Sequence, residues 1–232
     1  MFRVLVSLII ALVVPLLMIP YFIKIQKKYK IGQRIRQEGP DLHQHKTGTP
    51  TMGGLVIFIS VAISLVFYQP EDVTAYVAFF LLCSFGIVGF IDDLIKFYKE
   101  RSLGLKARVK VLIQFIICAL FLLWMFQFQA INQSIIIPLI KNELLIPYIF
   151  YIPFVILVFI SSTNAVNLTD GLDGLATGLM IIALSAFVII AFYQGKRDLA
   201  ILSLIIISSC IGFLVFNFHP AKIFLGDTGS MF

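Results

Sequence analysis

The sequence predicts an all-α fold, a polytopic transmembrane helix bundle with about seven spans. Three observations predict it. Hydrophobic residues make up 60% of the chain and charged residues 13%, about half the charged fraction of a soluble domain. Apolar runs free of charge and close to membrane-spanning length recur from one end of the chain to the other. The basic residues collect in alternate connections between those runs, the pattern of a chain threaded back and forth through a bilayer.

The first run, Val4–Ile23, is too long for the roughly 7–15-residue apolar stretch of a secretory signal, and no small-residue cleavage site follows it. It reads as a first membrane helix. A basic connection follows and leads into Thr49–Gly54, TPTMGG. Small residues and hydroxyls at a helix start suit phosphate, and they equally suit a capped, tightly packed helix entry. The second run, Gly53–Tyr68, is short, and the third, Ala75–Ile91, breaks off at GFIDDLIK. The fourth run is Val111–Phe128. Between Gln129 and Pro147 the β-branched residues and two prolines predict a short hairpin on the outer face. The fifth run, Tyr148–Ser161, precedes NAVNLTDGLDGLATG. The sixth and seventh, Leu175–Tyr193 and Leu199–Phe216, precede NFHPAKIFLGDTGS. The chain is read as one integral membrane domain, 1–232, and its end at Met231–Phe232, at the start of another apolar stretch, reads as the front part of a longer protein.

Loop charge sets the orientation. Fourteen Lys and Arg residues lie in the connections after the first, third and seventh runs, against four on the other side (Arg3, Lys141, Lys196 and Arg197). The positive-inside rule puts the N-terminus outside and the basic connections in the cytosol. The excess of basic residues is therefore read as orientation, not as a nucleic-acid surface. Cys83, Cys118 and Cys210 fall inside apolar runs without ligand spacing and read as packing residues. His43 and His45 form a weak H-x-H pair, and His219 before Pro220 reads as a capping or packing residue.

Five of the twelve acidic residues sit where apolar runs break off: Asp92 and Asp93, Asp170 and Asp173, and Asp227. The orientation places all five on the cytosolic side. Carboxylates at a membrane edge are costly and usually functional. Adjacent Asp92 and Asp93 need a divalent ion, a basic neighbour or a shared proton, and Lys96 lies one helical turn after Asp92. A solvated helix end with a weak ion pair is the plainer alternative. Asp170 is expected near a helix start, where the dipole favours an anion, with Thr169 or Asp170 as its cap. Gly171 and Gly174 expose backbone N–H groups, and Asn164 and Asn167 carry donors and acceptors able to read a base or sugar. Asp227, between Gly226 and Gly229 and followed by two hydroxyls, suits Mg²⁺, and it equally suits an ordinary turn. Phe224 stands three residues before it and can stack on a base. A CDP-alcohol phosphotransferase reading fails, because Thr177 stands where that motif requires Arg and no acid lies between Asp173 and Asp198.

Taken together, TPTMGG, the Asp-Asp pair with its lysine, NAVNLTDGLDGLA and the GDTGS segment resemble the phospho-N-acetylmuramoyl-pentapeptide transferases, within the polyprenyl-phosphate N-acetylhexosamine-1-phosphate transferase superfamily. The resemblance runs from about Gly39 to the end of the chain. It implies transfer of phospho-MurNAc-pentapeptide from UDP to undecaprenyl phosphate, giving lipid I and UMP in peptidoglycan biosynthesis. It implies a Mg²⁺-dependent site on the cytosolic face of a ten-helix, usually dimeric protein of the bacterial inner membrane. Asp227 then corresponds to the Mg²⁺ ligand, with Asp92 and Asp93 the catalytic pair beside it. Asp170, Gly171, Leu172, Asp173 and Asn217 correspond to nucleoside contacts, joined by Asn167, with Phe224 stacking on uracil. Lys46, Thr51 and Lys96 match positions near the nucleotide and phosphates. The family's downstream His-rich loop and further helices have no counterpart in these residues. A sister enzyme transferring GlcNAc-1-phosphate is the nearest alternative, and a transporter with intramembrane acids a remoter one.

Overall fold

A computed structural model describes residues 1–29, 32, 48–99, 101, 103–127, 134–136 and 143–232. In chain order the elements are α1 (Phe2–Lys28), α2 (Gly54–Tyr68), α3 (Val73–Tyr98), α4 (Ala107–Gln127), β1 (Ser134–Ile136), β2 (Glu143–Leu145), α5 (Tyr148–Thr169), α6 (Leu175–Tyr193), α7 (Arg197–Asn217) and α8 (Gly226–Ser230). Six of these helices are long and apolar enough to cross a membrane, and α2, at 15 residues, is shorter. Each of the seven expected runs coincides with a helix over its described residues, with Gly53 as the N-cap of α2, and the expected hairpin forms, pairing Ser134 with Leu145 and Ile136 with Glu143.

The chain forms two compact units, 1–105 with 166–232, and 106–165. In the first, α7 packs against α1, α2 and α6 around Ala11, Ile19, Val61, Ile205 and Phe213, all fully buried. Water does not drive helices together inside lipid, so close contact and hydrogen bonds must do so. The Ser60 hydroxyl donates to the Ala11 carbonyl at 2.9 Å, joining α2 to α1. A Cβ at Gly212 would lie 2.5 Å from the Leu12 carbonyl oxygen, so α7 meets α1 closely only because that residue is glycine. Leu17, Val66 and Phe80 point outward and suit lipid rather than water.

At the end of this unit where α2 runs into α3, a buried carboxylate ties three elements. Asp198 of α7 accepts from the Tyr68 hydroxyl at 2.5 Å and from the Asp72 N–H at 2.7 Å. Asp72 in turn caps α3 by accepting from the Thr74 N–H at 2.9 Å, and that bond holds its carboxyl below the usual carboxylate range. In the second unit α4 and α5 meet through an edge-on Phe121–Phe159 contact, and Asn164 Nδ2 donates to Gln114 Oε1 at 2.8 Å.

Two helices run past their apolar stretches. Helix α3 continues through Asp92, Asp93 and Lys96 to Tyr98, because the charges pair with one another instead of seeking water. Helix α5 continues through the polar NAVNLT. Its side chains bond back along the helix, Ser161 to the Leu157 carbonyl, Thr163 to Phe159 and Asn164 to Ile160, at 2.6–2.9 Å. Asp170 therefore follows the C-terminus of α5 and does not open a helix, contrary to expectation. The next helix is capped by neither Thr169 nor Asp170. It starts at Leu175 after Gly174, whose φ of 72° is left-handed.

Candidate active site

Helix α3 supplies one wall. Asp92 and Asp93 are 2% and 5% exposed, which rules out the solvated helix end. Asp92 accepts from the Leu105 N–H at 2.7 Å, and Gly104 leaves the space that its carboxylate fills. Asp93 accepts from three donors, the N–H groups of Asp227 (3.2 Å) and Thr228 (2.9 Å) and the Thr228 hydroxyl (2.7 Å). This anchor fixes α8 against α3. Gly89 permits the approach, since a methyl group there would overlap the Asp227 carbonyl. The expected turn at GDTGS is a short helix entered through Gly226, whose φ is +76°.

The result is a tight charged cluster. Asp92, Asp93 and Asp227 each offer an oxygen within 4.8 Å of the others. The Lys96 ammonium bridges all three, 2.8 Å from Asp92, 3.0 Å from Asp227 and 3.6 Å from Asp93. One ammonium against three carboxylates leaves two negative charges, the deficit that a divalent cation neutralises, and the donors are all oxygen. The cluster can hold a metal ion.

A second wall comes from the TPTMGG loop. Its backbone pairs with the segment before Asp227: Phe224 N–H to the Pro50 carbonyl at 2.8 Å, Gly53 N–H to Phe224 at 3.0 Å, and Gly54 N–H to Leu225 at 2.9 Å. Met52 takes a φ of 62° within this loop. Gln26, at the end of α1, holds both backbone groups of Thr51: its Nε2 donates to the carbonyl at 2.7 Å, and its Oε1 accepts from the N–H at 2.9 Å.

The DGLDG segment supplies the third wall. Asn167 donates to the Ser230 hydroxyl at 2.7 Å. Asp170 accepts from the Gly226 N–H, and burial, then the charge of Asp227, push its carboxyl up to about 7. Gly171 has open space around it, and Leu172 is exposed. Asp173 meets the His219 ring Nδ1 at 2.9 Å and accepts from the Ala221 N–H at 3.1 Å. Asn217 is 2% exposed; it accepts from the Thr177 hydroxyl and donates to the Ile223 carbonyl, both at 3.0 Å. These two side chains hold the 218–225 loop that carries Phe224, which is half-buried.

The structure thus gathers Asp92, Asp93, Lys96 and Asp227 into one cluster, with Asp170 within electrostatic reach of it. Thr51 and Phe224 lie on paired backbone segments beside it. Lys46, like His43 and His45, lies outside the described residues. His219 meets Asp173 through its ring Nδ1, and its side chain is largely exposed, so the expected packing role is not seen. Sequence reasoning passed over Gln26, Gly89, Gly104, Thr177 and Asp198. Gln26 stands between lysines and is masked by the basic connection, although an amide at the end of an apolar helix was a visible signal.

The Glycosyl transferase family 4 profile matches residues 74–232. A phospho-N-acetylmuramoyl-pentapeptide-transferase of Halalkalibacterium halodurans is 42% identical over 98% of this chain and 70% of its own length. Enzymes of the same name from Listeria innocua and Anoxybacillus flavithermus are 42% and 40% identical over 96% of the chain and 69% of their own lengths. With the acidic cluster and its glycine-lined approach inside the matched region, the chain belongs to the phospho-N-acetylmuramoyl-pentapeptide transferase family.

Proposed function

We propose that this chain transfers phospho-MurNAc-pentapeptide from UDP to undecaprenyl phosphate, releasing UMP and forming lipid I. The observation that carries the reading is the Asp92–Asp93–Asp227 cluster bridged by Lys96, in a chain about 40% identical to enzymes of that name. A phosphate oxygen of the lipid attacks the sugar-bearing phosphorus, a new P–O bond forms, and the bond to UMP breaks. The reaction brings anions together, so charge neutralisation and positioning dominate its catalysis.

Asp227, with Asp92 and Asp93 beside it, fits a Mg²⁺ ion, which when bound supplies positive charge to the diphosphate. Lys96 adds a second cation at the same place. Asp93 spends its oxygens on the Asp227–Thr228 backbone and hydroxyl, so its role is to hold Asp227 in position. Asp92, which shares Lys96 with Asp227, is the carboxylate we assign to taking a proton from the lipid phosphate. Asp170, Gly171, Leu172, Asp173 and Asn167 receive the nucleoside, with Phe224 stacking on uracil and Thr51 and Lys46 near the phosphates. Asn217 serves that pocket by holding the loop that carries Phe224. The lipid substrate and the positive-inside pattern support a site on the cytosolic face of the bacterial inner membrane, and the family resemblance supports a homodimer.

The test is release of UMP from UDP-MurNAc-pentapeptide with undecaprenyl phosphate in detergent. Turnover is expected with Mg²⁺, to be lost with chelator and lost in Asp227→Asn. Turnover with UDP-GlcNAc and none with the muramyl substrate would refute the reading.

A further inference from the structure

We infer that Gln26, at the end of α1, is a positioning residue that sets the TPTMGG loop for the uridine nucleotide. The inference rests on the reading of Thr51 and Phe224 as nucleotide contacts and identifies what holds them in place. Gln26 is 2% exposed and flanked in sequence by Lys24, Lys27 and Lys28. A buried amide costs free energy unless its donor and acceptor are both used. Here both go to a single residue 25 positions away: Nε2 to the Thr51 carbonyl and Oε1 from the Thr51 N–H.

That bidentate contact takes the place of a neighbouring strand. On one side of Thr51 the Pro50 carbonyl accepts from Phe224; on the other the Gly53 N–H donates to Phe224. Thr51 itself has neither group bonded to that segment, and the chain turns through the positive φ of Met52 immediately after it. Without Gln26 the two Thr51 groups would lose their acceptor and donor, and among the described residues the backbone bonds from this loop to another segment run to Phe224 and Leu225. The side chain therefore fixes the orientation of the Thr51 peptide, and through it the register of the loop on Phe224 and Leu225. No group of Gln26 belongs to the acidic cluster, so its loss acts on the nucleotide and leaves the cation alone.

The experiment compares the full chain with Gln26→Leu, Gln26→Glu and Gln26→Asn in detergent. It follows UMP binding by calorimetry, Mn²⁺ binding by electron paramagnetic resonance and amide exchange across residues 48–54. Gln26→Leu is expected to weaken UMP binding about 10-fold or more and to speed exchange at Thr51, with Mn²⁺ affinity kept within about twofold. Gln26→Glu keeps the acceptor for the Thr51 N–H and falls between wild type and leucine; it carries the test if the leucine variant does not fold. UMP affinity and Thr51 exchange unchanged in the folded variants would overturn the inference. An equal loss of UMP and Mn²⁺ binding would also overturn it, by showing general loosening. Failure of the wild-type chain to bind UMP would count against the functional reading instead, and Thr51 exchange would still decide whether Gln26 holds the loop.

Discussion

Replacing Gly89 with alanine tests whether the site depends on the distance between two backbones. Gly89 lies one turn before Asp93 on α3, and its Cα faces the backbone of Asp227 and Thr228. A methyl carbon there would sit 2.8 Å from the Thr228 nitrogen and overlap the Asp227 carbonyl. Carbon and carbonyl oxygen ordinarily approach no closer than about 3.3 Å, so α8 must retreat by roughly 1 Å. The obstacle is backbone on both sides, and no flexible side chain can yield. The retreat stretches the bonds that Asp227 and Thr228 donate to Asp93, and it carries the Asp227 carboxylate away from Lys96. Overpacking of this kind costs about 1–3 kcal/mol of stability. A 1 Å misplacement of a reacting group costs about 100-fold in rate. UMP release in Gly89→Ala is therefore expected to fall about 100-fold, with Mn²⁺ binding weakened in parallel. The variant remains folded by its thermal transition. Wild-type turnover in a folded Gly89→Ala protein would refute the claim that α3 and α8 must touch at this point.

Asp198→Ala leaves the Tyr68 hydroxyl and the Asp72 N–H without an acceptor, at about 1–3 kcal/mol each, so the thermal midpoint in detergent should drop clearly. UMP affinity should hold within about twofold, because Asp198 engages none of the cluster or its loops; a matching loss of binding would contradict that separation. Asp170 yields a pH test. Its folded carboxyl titrates near 7 against about 3.9 unfolded, so the stability it contributes is complete below about pH 4 and is lost as pH rises through 7. With chelator present, wild type should lose on the order of 2–4 kcal/mol relative to Asp170→Asn between those limits. A difference that stays flat with pH would count against the buried, Asp227-facing environment of Asp170.

The fold was legible because a bilayer leaves few options. Every apolar run became a helix, since backbone groups in lipid must bond within their own segment. Helix ends were less legible. The polar residues of NAVNLT suggested a break, yet hydroxyl and amide side chains bonded to carbonyls one turn back keep α5 helical to Thr169. That extension moves Asp170 from a helix start to a helix end. The Asp92–Lys96 pairing could be read from helical spacing alone, whereas Lys96 reaching Asp227 depends on long-range packing that no local pattern reveals. Gln26 and Asp198 stayed hidden for the same reason: their partners lie 25 and more than 120 residues away.

The acidic residues divide by what binds their oxygens, and that division explains why the site needs so many of them. Helix α8 has five residues and cannot place Asp227 by its own hydrogen bonds. It is held from outside, by Asp93 through backbone and hydroxyl and by Asn167 through Ser230. Asp173 and Asn217 do the same for the loop before it, through Ala221 and Ile223. Asp92 and Asp227 lie nearest Lys96, at 2.8 and 3.0 Å against 3.6 Å for Asp93, and a phosphate can also claim that cation. Holding residues tolerate no change of shape, while the residues facing Lys96 tolerate no change of charge. Each amide substitution, at Asp93 or at Asp227, removes one of the three cluster charges, but only the one at Asp93 also disturbs the acceptors that hold α8.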